Sequence, residues 1–187
     1  MENTQKAKID LRREVFEWGQ ALVSAITLFI MIFAFVVRII GVEQHSMEPT
    51  LSEGDKMLVS NLFYTPKHGD IIMFTKKGLS LAGAGDSPLV KRVIAVGGDT
   101  IDINFGTREV FINGRVIDEP YIRELTAKRD DVEFPLVVPK GHVFVMGDNR
   151  NQSLDSRSSR VGLVDNRYIL GRVYMRIFPF NNIGIVK

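Results

Sequence analysis

The chain has 187 residues, 25% of them charged and 45% hydrophobic, with a formal net charge of +2 and no cysteine. That balance fits one ordinary globular domain with a small addition. It excludes a broad nucleic-acid-binding surface, a disulfide framework, a thiolate metal site and a cysteine nucleophile.

The addition comes first. No charged residue occurs from Trp18 to Val37, and a helix of that length covers about 30 Å, the thickness of a bilayer's hydrocarbon core. The run is apolar on every side, unlike the single stripe of a core helix. It is longer than the apolar region of a cleavable signal peptide and has no small-x-small site between Phe35 and Val42. Lys6, Lys8, Arg12 and Arg13 precede it while Arg38 stands nearly alone behind it, which keeps the N-terminus in the cytoplasm. The expected organisation is a cytoplasmic segment at 1–17, a single transmembrane helix at 18–40 in the cell membrane, and an extracytoplasmic domain at 41–187.

Directly after the span comes "HSMEPTL", residues 45–51. If Ser46 is a nucleophile, it needs a base. His45 is adjacent, but in an extended segment neighbouring side chains point to opposite faces. His68 and His142 precede expected strands and sit in no hydrolase or zinc motif.

From here short apolar runs alternate with Gly, Pro, Asn and Asp clusters, a mainly β pattern. Strands are expected at 56–60, 70–74, 88–96, 100–104, 109–112, 115–118, 142–146 and 171–178. Asn113-Gly114 between two alternating runs marks a tight hairpin. The Gly-rich stretch 76–88 and the charged stretch 123–134 read as solvated loops.

On the strand at 88–96, Lys91 shares its face with Leu89, Val93 and Ala95, and Arg92 shares the other with Val90 and Ile94. A lysine kept from water loses the stability of its charged form, and its pKa falls toward the range of a general base. The alternative is a lysine that lays its stem on the sheet and reaches solvent. The strand by itself leaves both open.

Four segments in chain order then match one family. "SMEPTL" at 46–51, "HGDIIMF" at 68–74, "KRVIAVGGD" at 91–99 and "GDNRNQSLDSR" at 147–157 resemble the boxes of type I signal peptidases, behind a single span as in Gram-positive members. The resemblance implies a mainly β catalytic domain on an N-terminal transmembrane helix. It implies a membrane serine endopeptidase that cuts signal peptides from exported preproteins after small residues at −1 and −3.

By this resemblance Ser46 is the nucleophile and Lys91 the general base. The Ser153 hydroxyl orients the lysine amine, and Met47 and Leu51 help line the pocket for the −1 side chain. Arg92, Asp148, Asp155 and Arg157 are charged supports, with Arg92 expected to pair with Asp148. Some relatives use a hydroxyl two residues before the serine as second oxyanion donor; this chain has Gln44 there, which leaves an amide side chain or backbone as the donor. Gly97 stands where many members carry proline. No metal or cofactor is implied. The implied partners are signal-peptide-bearing preproteins, membrane lipid and the export machinery, with no nucleic acid. Two other readings compete: a self-cleaving Ser-Lys repressor, which the span displaces, and a tethered β-domain that binds peptides or lipids without cutting.

Overall fold

The computed structural model describes residues 11–76 and 88–186. The chain divides into two compact units, Met1–Val36 and Val37–Lys187. The basic residues Lys6 and Lys8 and most of the Gly-rich stretch at 76–88 lie outside the described residues.

The first unit carries helix α1, Leu11–Val36. Its sequence contains no proline and is rich in Leu, Ala, Ile, Val and Phe, with side chains that suit a helix or an apolar solvent. Within it, Arg12–Met31 has a mean hydropathy of 1.3 and none of that window is buried. A helix in a soluble core would hide at least one stripe. Trp18 is 77% exposed and Phe29 68%, surface that a bilayer and not water would solvate. The N-terminal apolar helix therefore marks a membrane-anchored chain.

The expected span at 18–40 ends too late. Val37–Gly41 is a strand, β1, and it pairs antiparallel with β2, Lys56–Ser60, from Val37↔Ser60 to Gly41↔Lys56. Its β-branched Val37, Ile39 and Ile40 favour a strand, but their hydropathy continues that of the helix, so the sequence reads as one apolar run.

The second unit is built from β1, β2 and ten further strands: β3 Ile71–Phe74, β4 Leu89–Val96, β5 Thr100–Asn104, β6 Glu109–Ile112, β7 Arg115–Val116, β8 Leu136–Val137, β9 His142–Met146, β10 Val164–Asp165, β11 Ile169–Phe178 and β12 Gly184–Ile185. The larger sheet runs β1-β2-β11-β3-β4-β9-β10, with β12 on β11; the smaller runs β7-β6-β5-β8. Every expected strand is found, several with the same ends. β7 stops at Val116 instead of 118, and the two-residue β8, β10 and β12 are too short to leave a periodic signal. Asn113 and Gly114 both take positive φ, 52° and 77°, as the hairpin between β6 and β7 requires.

β4 carries both Lys91 and Arg92. It lies between β3 and β9 and is buried along most of its length. Leu89 and Val93 join Ile72 and Phe74 in one core cluster, while Met47, Leu51, Ile71 and Met73 form a second. Ala95 does not share that first face as expected. The β4–β9 register shifts between Val93 and Ala95, and Ala95 falls with Ile94 into a third core against the small sheet. A bulge breaks the period of two.

The turn after β4 leads to the small sheet through Gly97 and Gly98. A Cβ on Gly97 would stand 2.8 Å from Lys140 Cα and 2.9 Å from Pro139 O, so backbone packs where a side chain would begin. Gly97→Ala is expected to destabilise the domain by about 1–3 kcal/mol, read as a lowered thermal midpoint in detergent.

Candidate active site

Ser46 sits on a single 3-10 turn, His45–Met47, entered from extended backbone at Gln44 with φ −140° and ψ 153°. The segment is therefore not extended, and His45 is removed from Ser46 for a different reason. Its ring turns outward between two carboxylates, with Nδ1 2.7 Å from Glu48 Oε1 and Nε2 3.2 Å from Glu53 Oε2. The Glu48 hydrogen bond holds the imidazole pKa above its ordinary value. Neither ring nitrogen is turned toward the serine.

Lys91 is the group that meets Ser46. Its side chain is 1% exposed, so it does not reach solvent along the sheet. Its Nζ lies 2.6 Å from Ser46 Oγ and donates to Val90 O at 3.1 Å. Burial pushes the amine pKa down to about 8, against the opposing pull of the Asp155 and Asp148 carboxylates.

Both of those carboxylates are themselves neutralised by a two-pronged arginine. Arg92 donates through Nε and NH2 to Asp148 at 2.8 and 2.7 Å, and Arg157 donates through the same atoms to Asp155 at 2.8 and 2.8 Å. Asp148 also accepts from the Thr50 hydroxyl. Arg92 donates to Gly69 O at 2.8 Å, and its guanidinium lies 3.9 Å from the centre of the Tyr121 ring. For Asp155 burial alone would raise the pKa, but the Arg157 bonds and charge and the Gly147 N–H hold it below the ordinary value.

The final box is fastened to the serine turn through backbone. Asn149 N–H donates to Ser46 O at 3.1 Å, and its side-chain amide donates to His45 O at 3.1 Å. Gly147 N–H donates to Asp155 Oδ2 at 3.1 Å.

Four expected positions make no side-chain hydrogen bond to Ser46 Oγ or Lys91 Nζ. Ser153 is buried with its hydroxyl against Asp155, whose pKa it helps to lower, and among the described residues it makes no hydrogen bond with the lysine. Met47 and Leu51 are 1% and 0% exposed. The turn folds both inward, Leu51 N–H donating to Met47 O at 2.9 Å, so they belong to the core and offer a pocket no open surface. Gln44 is exposed and caps the turn with no side-chain hydrogen bond.

Several residues of the site escape sequence reasoning. Arg150 is fully buried; it donates to Gly147 O at 3.1 Å, to Thr126 at 3.0 Å and to Glu119, with which it is ion-paired. Its only signal is its place inside "GDNRNQSLDSR". The charged stretch 123–134 is a loop, as expected, with Thr126 its one buried residue, but it also straps this box. Lys128 O accepts from Arg157 at 3.1 Å, Lys128 Nζ donates to Ser153 O at 3.1 Å, and Val132 N–H donates to Arg157 O at 3.0 Å. Among the described residues no group of three His, Asp or Glu side chains is placed to hold a metal.

Gly147 is the tightest point. A Cβ there would overlap Ser46 O and Ser153 Oγ and stand 2.6 Å from Ser153 Cβ. Gly147→Ala is expected to shift the serine turn and to destabilise the domain by about 1–3 kcal/mol, read as a lowered thermal midpoint in detergent.

Comparison with known proteins identifies the family. Residues 15–178 match the family model described as signal peptidase, peptidase S26. The chain is 35% identical over 193 residues to a signal peptidase I of Bacillus licheniformis, covering 96% of this chain and 97% of that one. It is 34% identical over 195 residues to signal peptidase I T of Bacillus subtilis (strain 168), covering 99% and 96%. With signal peptidase IB of Staphylococcus aureus (strain COL) it shares 31% over 189 residues, covering 91% and 93%. The chain belongs to the signal peptidase family, peptidase S26.

Proposed function

We propose that Ser46 and Lys91 are the catalytic dyad with which this membrane-anchored serine endopeptidase removes signal peptides from preproteins. The single observation that carries it is the 2.6 Å approach of Lys91 Nζ to Ser46 Oγ inside a buried site. With the amine charged, Nζ donates to the hydroxyl oxygen. Once the amine is neutral, its lone pair can accept the hydroxyl proton across the same separation. Ser46 Oγ then attacks the scissile carbonyl, Lys91 carries the proton to the leaving amine, and a water directed by the same amine releases the acyl group.

The oxyanion calls for donors already in place. The Ser46 N–H opens the 3-10 turn, where amides lack partners inside the turn, and Gln44 is proposed as the second donor from its exposed position. Ser153, a buried hydroxyl beside Asp155, is proposed to take up the amine as it leaves Val90 O, since its oxygen can accept there while its proton stays on the carboxylate side. Arg92, Asp148, Asp155 and Arg157 hold the frame. Met47 and Leu51 set the pocket for the small −1 side chain from behind, through the turn they anchor.

For localisation we propose one pass through the cell membrane, with the segment before the span cytoplasmic and the β domain outside. Lipid and the export machinery would then be its neighbours. Anchoring confines enzyme and membrane-held preprotein to one surface and raises their effective concentration.

Purified protein in detergent is expected to cleave a preprotein, and Ser46→Ala and Lys91→Ala are each expected to lower the rate by about 10³-fold or more with the fold retained. Cleavage undiminished in Lys91→Ala would exclude the dyad.

The pH dependence has a definite sign. Cleavage needs the neutral amine, so its rate is expected to rise with pH through about 8; a rise near 10 instead would contradict the buried base.

Stability follows from the same shift. Between about 8 and 10.5 the unfolded chain holds a proton that the folded chain has lost, so stability rises with pH across that window. Below it the buried charge is a constant cost. Lys91→Met is expected to abolish cleavage yet raise the thermal midpoint at pH 7, by up to about 3 kcal/mol of stability.

A further inference from the structure

Cleavage makes no use of one feature of the β domain. Val37, joined by a peptide bond to the last residue of the apolar helix, pairs with Ser60, and Ser60 pairs on its other side with Arg172. Leu62 and Phe63 lie just beyond Ser60 in the chain. Their turn therefore stands at the end of the sheet where the chain arrives from its anchor.

The turn is poorly suited to water. Phe63 is 97% exposed and holds a φ of 49°, and Leu62 is 54% exposed. A bulky aromatic in the left-handed backbone region, with its ring fully out in solvent, is unfavourable on both counts. Strain of this kind tends to persist where it has a use.

Behind the turn lies a cavity of about 250 Å³ lined by Tyr64, Lys67, Asp70, Arg172 and Tyr174 together with the turn itself. Asp70 organises its floor. It accepts from Tyr64 Oη at 2.9 Å and from Lys67 N–H at 3.1 Å, and its other oxygen is ion-paired with Arg172 Nε at 3.1 Å. Burial and the Asp70 acceptor raise the Tyr64 pKa, so its hydroxyl stays a donor. Neither the Lys67 ammonium nor the terminal nitrogens of Arg172 have a hydrogen-bond or ion-pair acceptor among the described residues. Two cations against one carboxylate leave the cavity positive, with the flat fork of an arginine free to take an oxyanion.

We infer that this cavity binds the headgroup phosphate of an anionic phospholipid, with Lys67 and the Arg172 terminal nitrogens on the phosphate and Phe63 and Leu62 inserted among the acyl chains. The inference rests on the membrane-anchored peptidase proposed above. A free phosphate would engage the same cations, but it would leave the apolar pair beside them without an occupant. Tyr64 and Tyr174 flank the cations with rings that are apolar in body and polar at the tip, the character of interfacial aromatics. A headgroup held here would fix the sheet end against the bilayer at a second point, beyond the single covalent anchor.

The test uses the full chain with one tryptophan reporter, Phe63→Trp combined with Trp18→Phe, since Trp18 is the sole natural tryptophan. It is reconstituted in phosphatidylcholine vesicles containing either brominated phosphatidylglycerol or brominated phosphatidylcholine. Quenching is expected to show about a fivefold enrichment of phosphatidylglycerol at the reporter, and Lys67→Gln, at an exposed position, is expected to remove that preference. Equal quenching by the two lipids overturns the headgroup site, and so does a preference that Lys67→Gln leaves intact. Thermal stabilisation of the solubilised chain by inorganic phosphate, without any vesicle preference, reassigns the cavity to the free anion and likewise overturns it. Preprotein cleavage by the unmodified chain in detergent is measured alongside. Cleavage together with equal quenching removes the headgroup site and leaves the peptidase standing.

Discussion

One amine kept dry sets the terms for the rest of this domain. Lys91 stands on a central strand with 1% of its surface exposed, and burial brings its pKa down to about 8. At neutral pH that displacement corresponds to about 3 kcal/mol of lost stability, a large share of what a domain of this size holds in reserve. Two carboxylates near enough to act on the lysine would undo the effect by favouring its charged form. Each is instead bound two-pronged by an arginine, Asp148 by Arg92 and Asp155 by Arg157. The arginines thus do more than fill space. They engage the carboxylate charge, so that burial wins at the amine.

Burying four such charges creates further obligations, and the chain meets them with segments that look unpromising in sequence. Arg150 and Arg157 find acceptors on Glu119, Thr126 and the Lys128 carbonyl. The stretch from 119 to 132 therefore works as a strap over the final box. Gly147 lets that box approach the serine turn with no Cβ between them, and Asn149 ties the two with backbone and side-chain donors. Ser46, Lys91 and the charged residues around them come from distant parts of the chain, and these bonds close them into one site.

The sequence carried the strands well because most are half-buried and alternate. It pointed to Ser46 and Lys91 as a pair through four boxes in chain order, while the face of β4 alone could not tell a buried lysine from one that reaches solvent. Three things were illegible for physical reasons. β1 continues the hydropathy of the helix, so the change from helix to strand at Val37 left no mark. The bulge after Val93 breaks the period on which the face of Ala95 was assigned. The stretch 123–134 reads as solvated because its charges do not meet the buried arginines; the Thr126 hydroxyl and the Lys128 carbonyl do, and neither leaves a signal in the sequence. Met47 and Leu51 show the converse: resemblance points to their neighbourhood, but the 3-10 turn that points them into the core is local geometry with no sequence period.

The state of the lysine can be observed directly. With the εCH₂ carbon of lysine isotopically labelled, a nuclear magnetic resonance titration of the detergent-solubilised chain, assigned by comparison with Lys91→Met, follows this one amine. A midpoint near 8 is what the buried site dictates; a midpoint at the ordinary lysine value of about 10.4 would contradict it, and with it the assignment of Lys91 as the base.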